Sequence, residues 1–138
     1  MIESVIREWF DHYLVPLKDR LELVESDAEV MPGVRMLPAP GHTPGHCAVL
    51  INGAGDPVLF TADAFALPDH IMHPEWTSSF DLDAEQTVQT RGRLLDLATA
   101  ENCRVVHYHV DGFGHVVRRG SAFACEPETA SAVLSGVR

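Results

Sequence analysis

Cysteine is scarce in this chain, which has only Cys47, Cys103 and Cys125, and no two of them are close in sequence. Such a set excludes a Cys-x-x-Cys motif, and it is not typical of a small secreted domain held together by disulfides. We therefore expect reduced, mostly buried thiols in a cytoplasmic protein.

Basic residues and long apolar runs are also few. Ten lysines and arginines stand against 20 aspartates and glutamates, which gives a formal net charge of −10. A surface of that sign repels phosphate backbones and anionic lipids, so we expect no nucleic-acid partner and no membrane partner. No stretch reaches the roughly 18 apolar residues of a membrane span. What the chain does have is 46% hydrophobic residues in 138, enough for the core of one domain.

Apolar periodicity predicts two helices among a series of short strands. One helix is predicted at 2–14, and a second at 84–98, where Asp83 and Gln86 form a capping pair. Arg91 falls on the predicted buried stripe of the second helix, beside Ala84, Val88, Leu95 and Ala98, so we expect a carboxylate to pair with it. Strands are predicted at 21–24, 34–37, 48–51, 58–61, 104–108 and 115–118, with an irregular stretch at 64–82.

Histidines occur where a backbone turn can hold them in a fixed direction. His42 and His46 lie on the loop Gly41-His42-Thr43-Pro44-Gly45-His46, which glycine and proline make tight. Asp63 follows a predicted strand, and His109 ends another. Imidazole and carboxylate are common zinc ligands, so a loop histidine, Asp63 and His109 form a candidate metal-ligand series.

This ordered set resembles the metallo-β-lactamase superfamily, from about Leu21 to Pro127. The family's Gly-His-x-x-Gly-His loop is complete, its Gly-Asp pair stands here as Ala62-Asp63, and its last metal histidine matches His109. Three further segments are similar to its organophosphate-hydrolase and lactonase-like branch, namely His73-Pro74-Glu75-Trp76, Phe80-Asp81-Leu82-Asp83 and Thr90-Arg91.

The resemblance implies a fold, a division of the chain and a chemistry. The fold is α/β (α+β), a metallo-β-lactamase-type β-sandwich flanked by helices, of which this chain has the C-terminal half only. It divides into a helix and linker at 1–20, the half-domain at 21–127 and a tail at 128–138. In the intact family two zinc ions share a water-derived nucleophile that attacks esters, lactones or phosphotriesters of small molecules.

The resemblance also implies roles for individual residues. His46 would hold one metal, His109 the other, and Asp63 would bridge them; His107 lies two residues before His109 on the same strand face, and the family match selects His109. His42 would support the loop by a structural hydrogen bond. His73, Trp76 and His115 would line the substrate pocket or flank the last ligand, with packing roles as the alternative. Cys47 is expected to be a core thiol rather than a ligand.

One motif of the family is missing. No His-x-His-x-Asp-His sequence precedes the loop, and residues 1–40 contain only His12. Each metal would keep about two protein ligands, so we expect weak zinc binding or none, and an inactive isolated chain. The alternatives are a non-catalytic remnant or interaction module, a homodimer, or a subunit that an N-terminal half on another chain completes.

Overall fold

The computed structural model describes residues 2–25 and 27–128, and it begins with a helical segment that lies away from the sheet. Helix α1 spans Ile2–Trp9, a π-helical turn follows at Phe10–Leu14, and a 3-10 turn runs over Val15–Arg20. The helix predicted at 2–14 is therefore confirmed only in its first part as an α-helix. The strand predicted at 21–24 is wrong, because this extended stretch has no strand beside it within the described residues.

Seven strands form one mixed sheet in sequence order. They are β1 (Glu29–Met31), β2 (Val34–Pro38), β3 (Cys47–Ile51), β4 (Val58–Phe60), β5 (Arg104–His107), β6 (Val110–Arg119) and β7 (Ala122–Pro127). All neighbours are antiparallel except β4 and β5, which are parallel. The α/β class is confirmed, and the part of the chain described here forms one sheet layer of the expected sandwich. Strands β1 and β7 were not predicted.

The parallel pair determines where the candidate site lies. Parallel strands need a crossover, and here it consists of a 3-10 turn (Ala62–Ala64), helix α2 (Asp69–Met72), a loop and helix α3 (Ala84–Ala100). Helix α2 lies inside the stretch predicted to be irregular. Because β4 and β5 point the same way, the residues that follow them meet at one edge of the sheet, where α/β proteins commonly bind ligands.

Helix α3 covers one face of the sheet and forms the core with it. Leu59 lies between Leu50 and Val105 in the strand register, and all three are buried. From the helix, Leu94, Leu95 and Ala98 complete this apolar cluster. Ala84, predicted on the buried stripe, is exposed, and Val88 is half-buried. The helix turns Thr87 and Thr90 toward the protein in their place, beside the buried Arg91.

The three cysteines are free thiols, as predicted, but they are not mostly buried. Cys103 is buried, Cys47 is half-buried and Cys125 is exposed. Burial raises the pKa of the Cys103 thiol to about 11, so it is an unreactive core residue. Cys47 contacts its own loop through the carbonyl oxygen of Gly45 and is not a core residue, because it opens strand β3 beside Pro38.

Candidate functional site

The histidine loop is fixed from both sides by backbone and helix contacts. The backbone N–H of Ala39 donates to the carbonyl oxygen of His46 at 2.8 Å, which closes the loop. Gly41 has φ +133°, and a Cβ there would lie 2.4 Å from the backbone nitrogen of Thr87 in helix α3. The glycine is therefore required by the close approach of the helix as well as by its own backbone angle.

The structure brings His46, Asp63 and His109 together. The backbone N–H of Asp63 donates to Nε2 of His46 at 3.2 Å, and Oδ1 of Asp63 lies 3.0 Å from Nε2 of His109. Nδ1 of His46 donates to the carbonyl oxygen of Ala39 at 2.9 Å, which fixes the tautomer with Nε2 as acceptor. His109 lies in the tight turn between β5 and β6, and β6 begins at Val110, five residues before the strand predicted at 115–118.

Asp63 and His109 line a cavity of about 520 Å³, within the size range of small-molecule sites. Its apolar walls come from Ala66, Leu67 and Phe80. Its polar lining consists of His42, Asp63, His70, Ser78, Asp81 and His109. A larger concavity runs along the exposed helix α1. Asp63 and His109 line the smaller cavity and not the larger one.

Whether zinc fits this site depends on the donor atoms that surround it. Imidazole and carboxylate are the right chemistry, yet no cluster of three or more histidine, cysteine or acidic side chains within residues 2–25 and 27–128 is arranged to hold a metal. The Nε2 atom of His46 is occupied by a backbone N–H, and a catalytic zinc needs about three protein ligands. The described residues alone therefore do not make a zinc centre.

A buried ion-pair network holds the other wall of the cavity. Nδ1 of His42 lies 3.3 Å from Oδ1 of Asp81, whose side chain is only 2% exposed. Oδ2 of Asp81 accepts from the backbone N–H of Ser78 at 2.9 Å and lies 3.8 Å from Arg91. Burial alone would raise the pKa of Asp81, but the hydrogen bonds from Ser78 and His42 and the charge of Arg91 outweigh it and hold that pKa below its usual range. Asp81 is thus a buried carboxylate anion.

Arg91 joins the segment after β4 to helix α3. Its guanidinium donates to the carbonyl oxygens of Ala64 at 2.6 Å and Pro74 at 3.3 Å, and also to that of Trp76. The predicted carboxylate partner is confirmed as Asp81, and the hydrogen bond predicted for His42 is confirmed with the same residue. Sequence reasoning missed Asp81 as the common partner, although it had marked the segment Phe80 to Asp83.

Two more buried histidines are held by hydrogen bonds, and one of them, His70, lines the cavity. His107 is buried and its Nδ1 lies 2.7 Å from Oγ1 of Thr61, while burial and, to a lesser degree, His70 lower its pKa to about 4. His70 accepts from the backbone N–H of Ala66 at 3.3 Å, and burial followed by the charge of Arg91 lowers its pKa as well. Both imidazoles are therefore neutral in the folded chain near pH 7.

The remaining predicted site residues lie elsewhere. His73 and Trp76 stack on each other with ring centroids 4.2 Å apart, and they are outside the lining of the cavity. His115 lies on β6 opposite Arg104 of β5, and its Nε2 is 3.4 Å from Glu128. The structure thus assigns His115 to an ion-pair group at the sheet and does not place it beside His109.

The chain is similar in sequence to proteins of one known family. The family model described as the metallo-beta-lactamase superfamily matches residues 2–111. The chain belongs to the metallo-β-lactamase superfamily. An N-acyl homoserine lactonase from Bacillus sp is 32% identical over 108 residues, and an N-acyl homoserine lactonase from Bacillus cereus is 31% identical over 108 residues. Each match covers 78% of this chain and 40% of the relative, so the chain spans well under half of these lactonases.

Solved structures agree on the fold. AidC, a dizinc quorum-quenching lactonase, superposes with a TM-score of 0.74 at 23% identity, over 84% of this chain and 40% of that one. The hydrolase AbOPH of the β-lactamase superfamily gives a TM-score of 0.75 at 19% identity, over 88% and 44%. Helices long and apolar enough to cross a membrane are absent from the described part of the chain.

Proposed function

We propose that this chain forms part of the catalytic pocket of a metal-dependent hydrolase that opens lactones or related esters of small molecules. The observation that carries the proposal is the contact of Asp63 with both His46 and His109, since Asp63 and His109 also line the cavity. These are the residues that the family motif assigns to metal binding, and the parallel strands β4 and β5 deliver two of them to the same edge.

The cavity supports a substrate with an apolar part. Leu67 and Phe80 give one wall an apolar surface, and both side chains are more than half exposed and available to a ligand. Lactonases of N-acyl homoserine lactones are the relatives that match in sequence. We therefore place an acyl chain against Leu67 and Phe80, with the ring or ester group toward Asp63 and His109; phosphotriesters are the alternative class.

The described residues supply too few donor atoms to bind zinc firmly, so we propose that they provide only some of the ligands of a metal site. His46 and His109 would each bind one of two metals and Asp63 would bridge them, which leaves each metal with about two ligands. All eight histidines of the sequence lie within the described residues, so further imidazoles would have to come from outside these 138 residues. No step of hydrolysis is assigned to these three residues alone. We expect the isolated chain to be inactive toward lactones and esters.

A zinc titration followed by NMR tests the proposal. We expect Zn²⁺ to bind weakly and in fast exchange, with shifts concentrated on His46 and His109, and we expect His109→Ala to weaken that binding several-fold. His73→Ala is the matched control, because His73 is a half-exposed histidine outside the cavity. Equal effects of the two substitutions, or zinc shifts centred elsewhere, would contradict the assignment.

Activity provides the second test. Addition of a separately produced segment that carries the family's His-x-His-x-Asp-His motif is expected to restore zinc-dependent lactone hydrolysis. That hydrolysis should disappear with His46→Ala. Tight zinc binding by the complemented pair without any hydrolysis would exclude the lactone and ester classes as substrates.

A second candidate function, an interaction module, is favoured by the sheet face opposite helix α3. Met36, Val49, Phe60 and Val106 are directly opposite one another on neighbouring strands, and all are partly exposed. A continuous apolar row of this kind is typical of a surface that another element covers. Val49→Lys is expected to abolish any concentration-dependent association seen by light scattering, whereas Lys at the exposed Leu23 should not.

A further inference from the structure

The two nitrogens of the His42 imidazole have different surroundings. Nδ1 faces Asp81 at 3.3 Å, and the residue lines the cavity with its side chain 25% exposed. No hydrogen bond to Nε2 is present within the described residues, and Nε2 is not among their buried unpaired atoms. This nitrogen therefore has no partner among the described residues, and the ring that carries it is partly exposed in the lining of the cavity.

Asp81 decides which nitrogen of His42 carries the proton. A carboxylate anion has acceptor atoms only, so the partner atom of His42 has to donate. The neutral imidazole then carries its hydrogen on Nδ1, and Nε2 has only a lone pair to offer. Asp81 itself is held by Ser78 and Arg91, and Arg91 is only 1% exposed, so this arrangement is built into the folded pocket.

We propose that His42 is a specificity-determining residue whose Nε2 accepts a hydrogen bond from an N–H group of the substrate, and that Asp81 is the residue that positions it. The inference rests on the proposed function, because it takes the ligand to be an acyl compound bound in this cavity. A hydrogen-bond acceptor at Nε2 would favour amide-linked acyl lactones and their opened products over esters of the same shape, because the ester oxygen that replaces the amide nitrogen carries no hydrogen.

A pair of isosteric ligands tests the inference on the full chain. N-hexanoyl homoserine and its ester isostere, in which oxygen replaces the amide N–H, are titrated by NMR with a chelator present. The pH is set at about 8, where imidazoles are ordinarily neutral. One net hydrogen bond predicts that the amide binds about fivefold more tightly than the ester.

Three variants separate the role of His42 from general damage. His42→Phe keeps a flat ring without nitrogen and is expected to bind the two ligands equally. Asp81→Asn places an amide beside Nδ1 and is expected to abolish or invert the amide preference. Asp69→Asn removes an exposed carboxylate at the start of helix α2 and is expected to retain the fivefold ratio.

The tautomer gives a readout that needs no ligand. Long-range 1H–15N spectra should show His42 protonated on Nδ1 in the unmodified chain and with a larger Nε2-protonated population in Asp81→Asn. An Nε2-protonated His42 in the unmodified chain, or equal binding of amide and ester, would overturn the inference and leave the proposed function standing. Failure of both ligands to bind would overturn the inference together with the proposed substrate class.

Discussion

Replacement of Arg91 by methionine is expected to destabilise the fold strongly. The side chain is 1% exposed, and its guanidinium donates to the carbonyl oxygens of Ala64, Pro74 and Trp76 beside Asp81. Methionine has a similar apolar stem but no donor, so it would leave a buried carboxylate without its cation and three carbonyls without this partner. Breaking a buried pair by removing one member costs about 3–5 kcal/mol of the free energy of unfolding.

Urea denaturation followed by far-UV circular dichroism measures this cost. With a slope of about 1.5 kcal/mol per molar urea, the midpoint should fall by about 2–3 M. Arg93→Met is the matched control, because Arg93 is an exposed residue of the same helix that donates to Pro38 and Thr90, and its loss should cost less than about 1 kcal/mol.

Equal midpoints for the Arg91→Met and Arg93→Met variants would refute the reasoning, since they would show that the buried network contributes nothing beyond an exposed hydrogen bond. Arg91→Lys covers the case in which the methionine variant does not fold. Lysine keeps the charge beside Asp81 but cannot reach three carbonyls at once, so an intermediate midpoint is expected.

Three further changes test other parts of the structure. Gly41→Ala should lower the free energy of unfolding by about 1–3 kcal/mol, because its Cβ would meet the backbone of Thr87, whereas Gly45→Ala, with nothing within 4 Å, should be nearly neutral in the same urea assay. Ala62 has φ +46°, so Ala62→Gly, which restores the family's residue, should raise the free energy of unfolding by up to about 1 kcal/mol; a lower free energy would contradict backbone strain at this position. Burial lowers the pKa of His107 to about 4, so the folded state binds fewer protons than the unfolded state between that value and about 6.5. Stability is therefore fully present above about pH 6.5 and should fall by about 3 kcal/mol toward pH 4, and His107→Gln should flatten this fall.

The sequence predicted those features that depend on neighbouring residues. Asp83 accepts from the backbone N–H of Gln86 at 2.9 Å, as expected of a helix N-cap, and the loop from 52 to 57 joins the antiparallel strands β3 and β4. That His46, Asp63 and His109 lie close together was also predictable, because each stands at the end of a strand or on a glycine-framed loop, whereas their role as metal ligands stays a prediction. His46, Asp63 and His109 indeed lie at one edge.

Features that depend on distant residues were not predictable in the same way. Asp81 is 39 residues from His42, and the two are held together where the backbone N–H groups of Leu82 and Asp83 donate to the carbonyl oxygens of the histidine loop. Edge strands β1 and β7 contain exposed and partly buried residues without clear alternation, so their apolar pattern is weak. Residues 21–24 showed the opposite error, since a strand was predicted there and the structure has no regular secondary structure at these positions.

The two walls of the cavity differ in how firmly they are held, and this difference separates folding from ligand binding. Asp81 and Arg91 are almost fully buried, so loss of the Arg91 cation should destabilise the pocket strongly. Asp63 and His109 have side chains 37% and 52% exposed, and an ion pair at that exposure contributes about 0–1 kcal/mol to stability. Asp63→Asn should therefore leave the urea midpoint nearly unchanged while it removes the zinc response. Such a result would mean that the contact between His109 and Asp63 can be broken at small cost. Both side chains would then be free to bind a metal whose other ligands come from elsewhere, as the proposed function requires.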